Sequence, residues 1–429
     1  TTENLMMGKL MIDSVKTWAT QYRIDSFRFD LMAHQPRAVM EQLKKSVDKA
    51  AGRPVQLIGE GWNFGEVANG ARFVQASQLS LNGSGIATFS DRARDFVRGG
   101  GPFDGGQSLV RNQGYISGLF YDDNGSGAGK SKTDLMWAAD IIKVGLAGSI
   151  RDYTLTTHWD ASLQLQQLDY NGQPAGYVTS PAEVVNYNEN HDNQTLFDIN
   201  AYKLPSTTSK EDRARVQMLG AAINAFSQGV AYFHAGIDTL RSKSMDRNSY
   251  NSGDWFNRLD WSYADNNFGV GLPPRGDNGD NWSIIGPRLA NADIKPGGNE
   301  IGWARDAFRD LLAIRGSSTL FRLRTADDVK ARLSFRNTGS GQVPTVLAGH
   351  LDGNGYPGAR FQEVLYFVNV DKVAQTLTID GEKGKAYRLH PVHLAPGAAD
   401  PRAANDASYD GASGRFVIPP RTAVVYVVN

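Results

Sequence analysis

Apolar positions in the first part of the chain follow two alternating spacings, one typical of helices and one typical of short buried strands. The helical spacing predicts helices over Leu5–Tyr22, Pro36–Ala51, Leu135–Ile150 and Asn299–Arg315, with a further helix that begins at Ser209. The strand spacing predicts strands over Ile24–Leu31, Val55–Glu60, Ile86–Phe89, Val184–Tyr187 and Val230–His234. Strands that alternate with helices indicate a parallel α/β architecture.

After about Thr319 the pattern changes. Short apolar runs are then separated by Gly, Pro, Asn and Asp, over 332–336, 343–351, 363–370, 376–379, 387–390, 415–418 and 422–428. Such a series of short strands is typical of a small β-sandwich. We therefore expect two units, an α/β unit over residues 1–318 and an all-β unit over residues 319–429.

The α/β unit has fewer predicted strands than a complete barrel. A (β/α)8 barrel needs eight strand–helix units in about 250 residues. The pattern predicts five strands, and it begins on a helix. The α/β unit is then either an open sheet or the later part of a barrel.

Composition narrows the class of function. The chain has 429 residues, of which 41% are hydrophobic, enough for sizeable cores. Lys and Arg together number 45, as do Asp and Glu, so no net charge attracts nucleic acid or an anionic membrane surface. Cysteine is absent, which excludes disulfides, thiolate catalysis and cysteine-ligated zinc. No apolar run reaches the ~18 residues of a membrane helix, and no signal peptide is visible.

Three clusters of polar residues follow predicted strands. Arg28 and Asp30 share one face of the first strand, because strand side chains alternate between faces. Glu60 follows the second strand between two glycines, where apolar surroundings would raise its pKa and suit a proton donor. His191 and Asp192 follow the fourth strand. The carboxyl ends of parallel strands form the active-site face of a barrel, so the clusters are candidates for one site.

The spacing of two carboxyl groups suggests a reaction. Asp30 and Glu60 are 30 residues apart, about one strand–helix unit, which places them on adjacent strand ends. An ionised carboxylate beside a protonated carboxylic acid is the arrangement of glycoside hydrolysis, with retention of configuration at a separation of about 5–5.5 Å. Each cluster alone also has an ordinary structural explanation, as an ion pair, a cap or a buried histidine. The residues by themselves leave both interpretations open.

Several motifs resemble those of one enzyme family. Asp25–His34, Gly59–Asn63 and Asn186–Leu196 resemble the second, third and fourth sequence regions shared by the α-amylase superfamily, glycoside hydrolase family 13. Thr88–Asp95, Arg247–Asn257 and the terminal all-β module are similar to the bacterial type I pullulanase family. By this resemblance we expect the carboxyl-terminal part of a longer enzyme, whose first sequence region and first three barrel strands lie upstream.

The resemblance implies roles for individual residues. Asp30 matches the nucleophile, Arg28 its orienting partner, and Glu60 the general acid and then base. Asp192 is the third residue of the expected catalytic group. By the same resemblance, Asp192 and His191 bind the hydroxyls of the sugar at the cleavage point and favour its distorted form. The other expected substrate contacts are Trp62, Asp254 and Arg258.

The implied fold is the second part of a (β/α)8 barrel followed by a β-sandwich. The implied function is retaining endo-hydrolysis of α-1,6-glucosidic bonds in pullulan and branched α-glucans, such as starch and glycogen limit dextrins. One alternative is an isoamylase- or branching-type enzyme, because the acid and nucleophile motifs barely distinguish these activities. The other is a non-catalytic α-glucan-binding protein, against which the intact carboxyl pair argues.

The resemblance also implies partners and a location. The expected partners are the α-glucan substrate and the upstream half of the same enzyme, and the expected location is secreted or cell-surface. Calcium is common in such enzymes, and no organic cofactor is expected. Asp122–Asn124 and Asp277–Asp280 offer oxygen-rich loops, although neither matches an EF-hand. Asn188 stands where the family usually has an apolar residue, so its side chain needs a polar partner.

Overall fold

A parallel sheet forms the centre of the first part of the computed structural model, which describes residues 1–127 and 129–429. The strands of this part are β1 (Ser26–Phe29), β2 (Gln56–Gly59), β3 (Ala87–Phe89), β4 (Thr154–Thr156), β5 (Ser162–Gln164), β6 (Asp169–Tyr170), β7 (Gln173–Pro174), β8 (Val184–Asn186) and β9 (Val230–Ala231). The sheet has the order β1-β2-β3-β8-β9, and every neighbouring pair is parallel. Strands β4 and β5 form one small antiparallel pair, and β6 and β7 form another.

The helices connect these strands and continue beyond them. They are α1 (Leu5–Gln21), α2 (Arg37–Ala51), α3 (Asp91–Arg98), α4 (Ser108–Arg111), α5 (Lys132–Leu146), α6 (Leu196–Lys203), α7 (Lys210–Phe226), α8 (Gly253–Asn257), α9 (Arg275–Asn278), α10 (Trp282–Leu289), α11 (Gly298–Ser317), α12 (Ala326–Arg332) and α13 (Arg402–Asn405). The long helices α1, α2, α5, α7 and α11 confirm the helical spacing read from the sequence. The short helices and the two small antiparallel pairs were not predicted, because most of their segments carry neither a helical apolar spacing nor an apolar run.

Local chemistry sets the start of α7 and the turn that follows this helix. The hydroxyl of Ser209 accepts a hydrogen bond from the backbone N–H of Asp212 at 3.1 Å and so caps the start of α7. After α7 the chain turns at Gly229, whose φ of +89° favours glycine. A Cβ atom there would lie 2.6 Å from a methyl group of Val184. Glycine therefore lets the chain pass close to β8 before it enters β9.

The carboxyl-terminal part is rich in antiparallel strands. Its strands are β10 (Leu333–Phe335), β11 (Val346–Asp352), β12 (Glu363–Asn369), β13 (Gln375–Thr378), β14 (Arg388–Leu389), β15 (Ser408–Asp410), β16 (Arg415–Ile418) and β17 (Thr422–Val428). They form one sheet of order β10-β11-β12-β17-β14 and another of order β13-β16-β15. Side chains of both sheets, among them Leu365, Phe367, Phe416 and Ile418, share one buried cluster. This part of the chain is therefore rich in β-structure, but it also contains α12 and α13 and so is not all-β.

The two parts of the chain share a continuous core. Helix α7 packs against α11 and also against β12 and β17. The buried side chain of Gln228 donates to the carbonyl of Leu320 and accepts from the N–H of Leu323, both at 2.8 Å. The predicted boundary at residues 318 and 319 therefore lies inside a packed interface, and the division into domains stays a prediction.

One end of the parallel sheet leaves apolar surface open to solvent. Helix α1 exposes Leu5, Met6 and Leu10, with Leu5 91% exposed. Strands β1 and β9 end the sheet, and within residues 1–127 and 129–429 no strand pairs with their outer edges. Unpaired edges beside exposed apolar side chains are features that proteins normally cover.

Close packing within the larger antiparallel sheet predicts a stability effect. Gly349 of β11 lies opposite Tyr366 of β12, and a Cβ atom at position 349 would overlap the buried ring of Tyr366. We expect Gly349→Ala to lower the free energy of unfolding by about 1–3 kcal/mol, because the ring must leave its rotamer. Urea unfolding measures this change. Gly341→Ala is the control, since no heavy atom lies within 4 Å of its Cβ position, and equal stability of the two variants would contradict the prediction.

Candidate active site

The carboxyl ends of the parallel strands bring the predicted polar clusters to one edge of the sheet. Phe29 is the last residue of β1 and Gly59 the last residue of β2, and the two are paired in the parallel register. Asp30 and Glu60, which follow them directly, therefore leave the sheet at the same level. The loop that carries His191 and Asp192 follows β8, two strands further along the sheet.

A single arginine connects the two carboxyl groups. The guanidinium of Arg28 forms an ion pair with Asp30, and its Nη2 lies 3.1 Å from Oε1 of Glu60. The backbone N–H of Leu31 donates a hydrogen bond of 2.7 Å to the other oxygen of Glu60. Leu31 has a φ of +44°, in the left-handed region, so the chain turns sharply after Asp30. This turn aims the Leu31 N–H at Glu60.

The two carboxyl groups differ in their surroundings. The side chain of Asp30 is 70% exposed, whereas that of Glu60 is 6% exposed. Burial raises the pKa of Glu60 above its ordinary value, and the negative charges of Asp30 and Asp192 add to this effect. The Leu31 N–H and the Arg28 guanidinium oppose it only in part. The site thus pairs an exposed carboxyl group with a buried one that holds its proton more tightly than an ordinary glutamate.

His191 and Asp192 lie beside this pair. Nε2 of His191 is 3.7 Å from a carboxylate oxygen of Asp192, and both side chains are about half exposed. Burial lowers the pKa of His191, as do the positive charges of Arg28 and His234, while Asp192 and Asp30 oppose that shift. The ring is therefore suited to bind a hydroxyl group as a neutral imidazole.

Trp62 borders the same edge of the sheet. Its indole packs against a cluster that includes Phe89 and Tyr187, and it remains partly exposed. The guanidinium of Arg94 lies 5.7 Å from the centre of the Trp62 ring and 5.5 Å from that of Tyr187. Arg94 is itself held by Asp95 and by the hydroxyl of Tyr187. An aromatic face in this setting can pack against the C–H face of a sugar.

The sequence alone did not reveal the residues that contact Trp62 and the loop carrying His191. Arg94 lies in the stretch Thr88–Asp95, which resembles the pullulanase family, but this resemblance alone does not indicate a role for its side chain. Tyr232 donates to Oδ1 of Asn190 at 3.3 Å, and Nδ1 of His234 lies 2.8 Å from Oε1 of Glu189. No local pattern could have paired residues more than 40 positions apart.

Asp254 and Arg258 make no direct bond to the carboxyl pair among the described residues. Asp254 is exposed on α8, and Arg258 forms an ion pair of 3.0 Å with Asp260 in its own loop. In the described part of the chain, no hydrogen bond or ion pair joins either side chain to Arg28, Asp30 or Glu60. Their contribution to substrate binding stays a prediction.

The polar residue that departs from the family pattern has its expected partner. Asn188 is buried, and its side-chain amide donates a hydrogen bond to the backbone carbonyl of Gly220 in α7. The strand leading to His191 therefore carries no unsatisfied amide donor at this position.

Groups that could hold a metal already bind cationic side chains. His350, Glu363 and Glu382 form a cluster of suitable geometry. Lys385, however, binds both glutamates at 2.6 Å, and Arg336 binds Glu382 at 2.6 Å. These three residues therefore fit an ionic network better than a calcium site.

The two candidate calcium loops differ in their partners. The two carboxylate oxygens of Asp122 accept from Lys372 and Arg421 at 2.8 and 3.0 Å, and Asp277 accepts from the side chain of Asn248 at 3.3 Å. Cations therefore occupy both oxygens of Asp122, whereas the partner of Asp277 is a neutral amide. A separate observation concerns membranes: among the described residues, no helix combines the length and apolarity needed to cross a bilayer.

The raised pKa of Glu60 predicts a pH dependence of stability. Above pH 4.5, the ordinary pKa of a glutamate side chain, the unfolded chain loses this proton while the folded protein keeps it until its higher pKa is reached. The free energy of unfolding should therefore fall as pH rises through that window. Glu60→Gln cannot titrate, so we expect its unfolding free energy to fall less than that of the unaltered protein, measured by urea unfolding between about pH 4.5 and 7. Glu66→Gln, which changes a side chain 60% exposed, is the control. Identical pH profiles for the unaltered protein and Glu60→Gln would contradict the prediction.

Comparisons with known proteins identify the enzymes that this chain resembles. Residues 263–429 match the family described as "Alpha-1,6-glucosidases, pullulanase-type, C-terminal". Pullulanase 1, chloroplastic, of Arabidopsis thaliana is 40% identical, over 99% of this chain and 45% of its own length. Pullulanase of Klebsiella pneumoniae is 38% identical, over 92% of this chain and 36% of its own length.

Solved structures show the same likeness. The maltotriose complex of PulA from Klebsiella pneumoniae matches with a TM-score of 0.92 and 37% identity, over 99% of this chain and 45% of that chain. The chain thus spans less than half the length of the curated relatives that it matches. In sequence and in fold, it is similar to the carboxyl-terminal part of pullulanases.

Proposed function

We propose that the site hydrolyses α-1,6-glucosidic bonds within pullulan and branched α-glucans, such as starch and glycogen limit dextrins, with retention of configuration. The observation that carries this proposal is the pair of carboxyl groups in opposite surroundings, exposed Asp30 and buried Glu60, connected by Arg28. Such a pair offers an ionised nucleophile and a protonated acid to one bond. The names of the relatives support the choice of bond.

The reaction needs both carboxyl groups in turn. Asp30 attacks the anomeric carbon while Glu60 gives its proton to the leaving glycosidic oxygen, which produces a covalent glucosyl-enzyme. Glu60, now ionised, takes a proton from water as that water attacks the same carbon and releases Asp30. The raised pKa of Glu60 favours the first step, because the acid keeps its proton until the leaving oxygen accepts it.

The neighbouring residues hold the substrate in this proposal. His191 and Asp192 bind the hydroxyls of the sugar at the cleavage point and favour its distorted form. Trp62 packs against the apolar face of a glucose ring. The next glucose unit contacts Asp254 and Arg258.

The fold proposal follows from the position of the site. We propose that the parallel sheet is the later part of a (β/α)8 barrel and that residues 319–429 form a carboxyl-terminal β-sandwich domain packed against it. Parallel strands in chain order, with candidate catalytic residues at their carboxyl ends, support the barrel. Two antiparallel sheets with a common core support the sandwich.

Calcium and location rest on the family resemblance alone. We assign calcium no residues, because the carboxylates of Asp122, Glu363 and Glu382 bind cationic side chains. Secretion or attachment to the cell surface belongs to the same proposal. The Arabidopsis relative is named as chloroplastic.

Digestion of pullulan tests the proposed function. We expect the full-length protein to convert pullulan mainly to maltotriose, because α-1,6 bonds link the maltotriose units. Asp30→Asn should reduce the rate by at least about a thousandfold, since the neutral amide is a poor nucleophile. Product chromatography and reducing-end assays measure both results.

Matched variants make this test specific. Asp25→Asn changes an exposed aspartate that pairs with Arg53 before β1, and it should retain activity. Glu60→Gln should be nearly inactive on glucans yet still form the covalent intermediate from a glycosyl fluoride, whose leaving group needs no acid. Pullulan that stays intact while branched glucans are shortened or rearranged would favour the isoamylase- or branching-type alternative. Binding of glucan without hydrolysis would favour the binding-protein alternative.

We also propose a partner for the open end of the sheet, namely the upstream half of the same enzyme. The exposed apolar face of α1 and the outer edge of β1 are suited to bind further strands and helices. We expect residues 1–429 expressed alone to aggregate and to lack pullulan hydrolysis, because several apolar side chains stay in water at a cost of about 1.5–3 kcal/mol each. Co-expression with the upstream half as a separate chain should restore solubility and activity, measured by size-exclusion chromatography and maltotriose release. A monomeric and fully active preparation of this chain alone would overturn the proposed partner.

A further inference from the structure

The loop that carries His191 and Asp192 has no regular secondary structure. Residues 188–194, called the 188–194 loop below, lie between β8 and α6 and form neither helix nor strand. Such a segment makes no hydrogen-bond ladder of its own, so other parts of the chain must satisfy its backbone. The contacts that do so decide where the two side chains point.

Arg98, the last residue of α3, binds both ends of this loop. Its side chain is buried, and its Nη1 and Nη2 donate hydrogen bonds to the carbonyls of Asn188 and Gln194 at 2.8 and 2.7 Å. The guanidinium is a planar fork with fixed N–H directions. One rigid group therefore sets the separation of two carbonyls six positions apart.

Lys243 binds the middle of the loop. Its buried Nζ donates to the carbonyl of His191 at 2.9 Å, and its own backbone N–H is held by Asp198 at 2.7 Å. Burial lowers the pKa of Arg98 to about 10 and that of Lys243 to about 8, so both cations lose solvation in these positions. Bonds to backbone carbonyls offset that loss, because a carbonyl satisfies a charged donor well.

We propose that Arg98 and Lys243 are positioning residues, which clamp the 188–194 loop so that His191 and Asp192 meet the sugar in the transition state. This inference rests on the proposed function. Both cations contact backbone carbonyls of the loop, so each acts through the backbone. The clamp replaces the ladder that a strand or helix would supply.

Removal of the Arg98 side-chain charge tests the clamp in the full-length protein. Arg98→Met should speed hydrogen exchange of the loop amides. It should also lower kcat on pullulan on the order of 10–100-fold, with KM changed less, because a small misplacement of groups that act in the transition state lowers the rate. Arg98→Lys keeps the charge but can reach one carbonyl at a time, so its kcat should lie between those of Arg98→Met and the unaltered protein. This conservative variant also keeps the test open if Arg98→Met folds poorly.

Arg213 provides a matched control. It is also a buried arginine that donates to two backbone carbonyls, those of Thr208 and Pro205, at 3.1 and 3.0 Å beside the start of α7. Arg213→Met should lower the melting temperature like Arg98→Met yet leave kcat and the exchange of the 188–194 loop unchanged.

Two results would overturn the clamp. One is loop exchange no faster in Arg98→Met than in Arg213→Met. The other is faster loop exchange with an unchanged kcat, which would leave the contacts structural only. Failure of the unaltered protein to hydrolyse pullulan would overturn the proposed function and the catalytic purpose of the clamp with it. The exchange comparison decides independently whether Arg98 holds the loop.

Discussion

The contact of Arg28 with two carboxyl groups is the interaction on which the site depends. It exists because β1 and β2 are parallel neighbours in a register that pairs Phe29 with Gly59. A shift of one residue in the register of β1 would turn the side chain of Asp30 to the opposite face of the sheet. The backbone ladder thus decides whether Asp30 and Glu60 can act on one bond.

Burial then separates the two carboxyl groups chemically. Glu60 lies within the edge of the sheet, where the loss of hydration favours its protonated form. Asp30 stands in solvent, where a carboxylate keeps its hydration. Arg28 reaches both groups, and its positive charge offsets only part of the effect of burial on the pKa of Glu60.

Irregular loops around the site depend on buried cations. Arg98 and Lys243 bind the carbonyls of the 188–194 loop, and Lys203 donates to the carbonyl of Gly99 at 2.8 Å in the glycine-rich segment after α3. A buried cation is costly unless several acceptors surround it. These contacts therefore make the loops precise but leave them sensitive to the loss of a single side chain.

Local patterns determined much of the fold and part of the site. The long helices and the strands of the parallel sheet followed from apolar spacing, because that spacing reflects which face of each element is buried. The placement of Arg28, Asp30, Glu60, His191 and Asp192 at strand ends followed from the same reasoning. The short strands β4 to β7 did not, because their mostly polar residues lack the apolar runs that mark β3, β8 and β9.

Only the tertiary structure decided how these pieces act on each other. The unequal exposure of Asp30 and Glu60, and the cation beside Trp62, arise where segments distant in sequence meet. The two bonds of Arg98 reach 90 and 96 positions along the chain. Asp254 and Arg258, which the family pattern placed in the site, make no direct bond to the carboxyl pair in the part of the chain that the structure describes. Sequence determined which groups stand at the strand ends, since periodicity is local. Packing decided their environment, since burial and charge depend on contacts between distant segments.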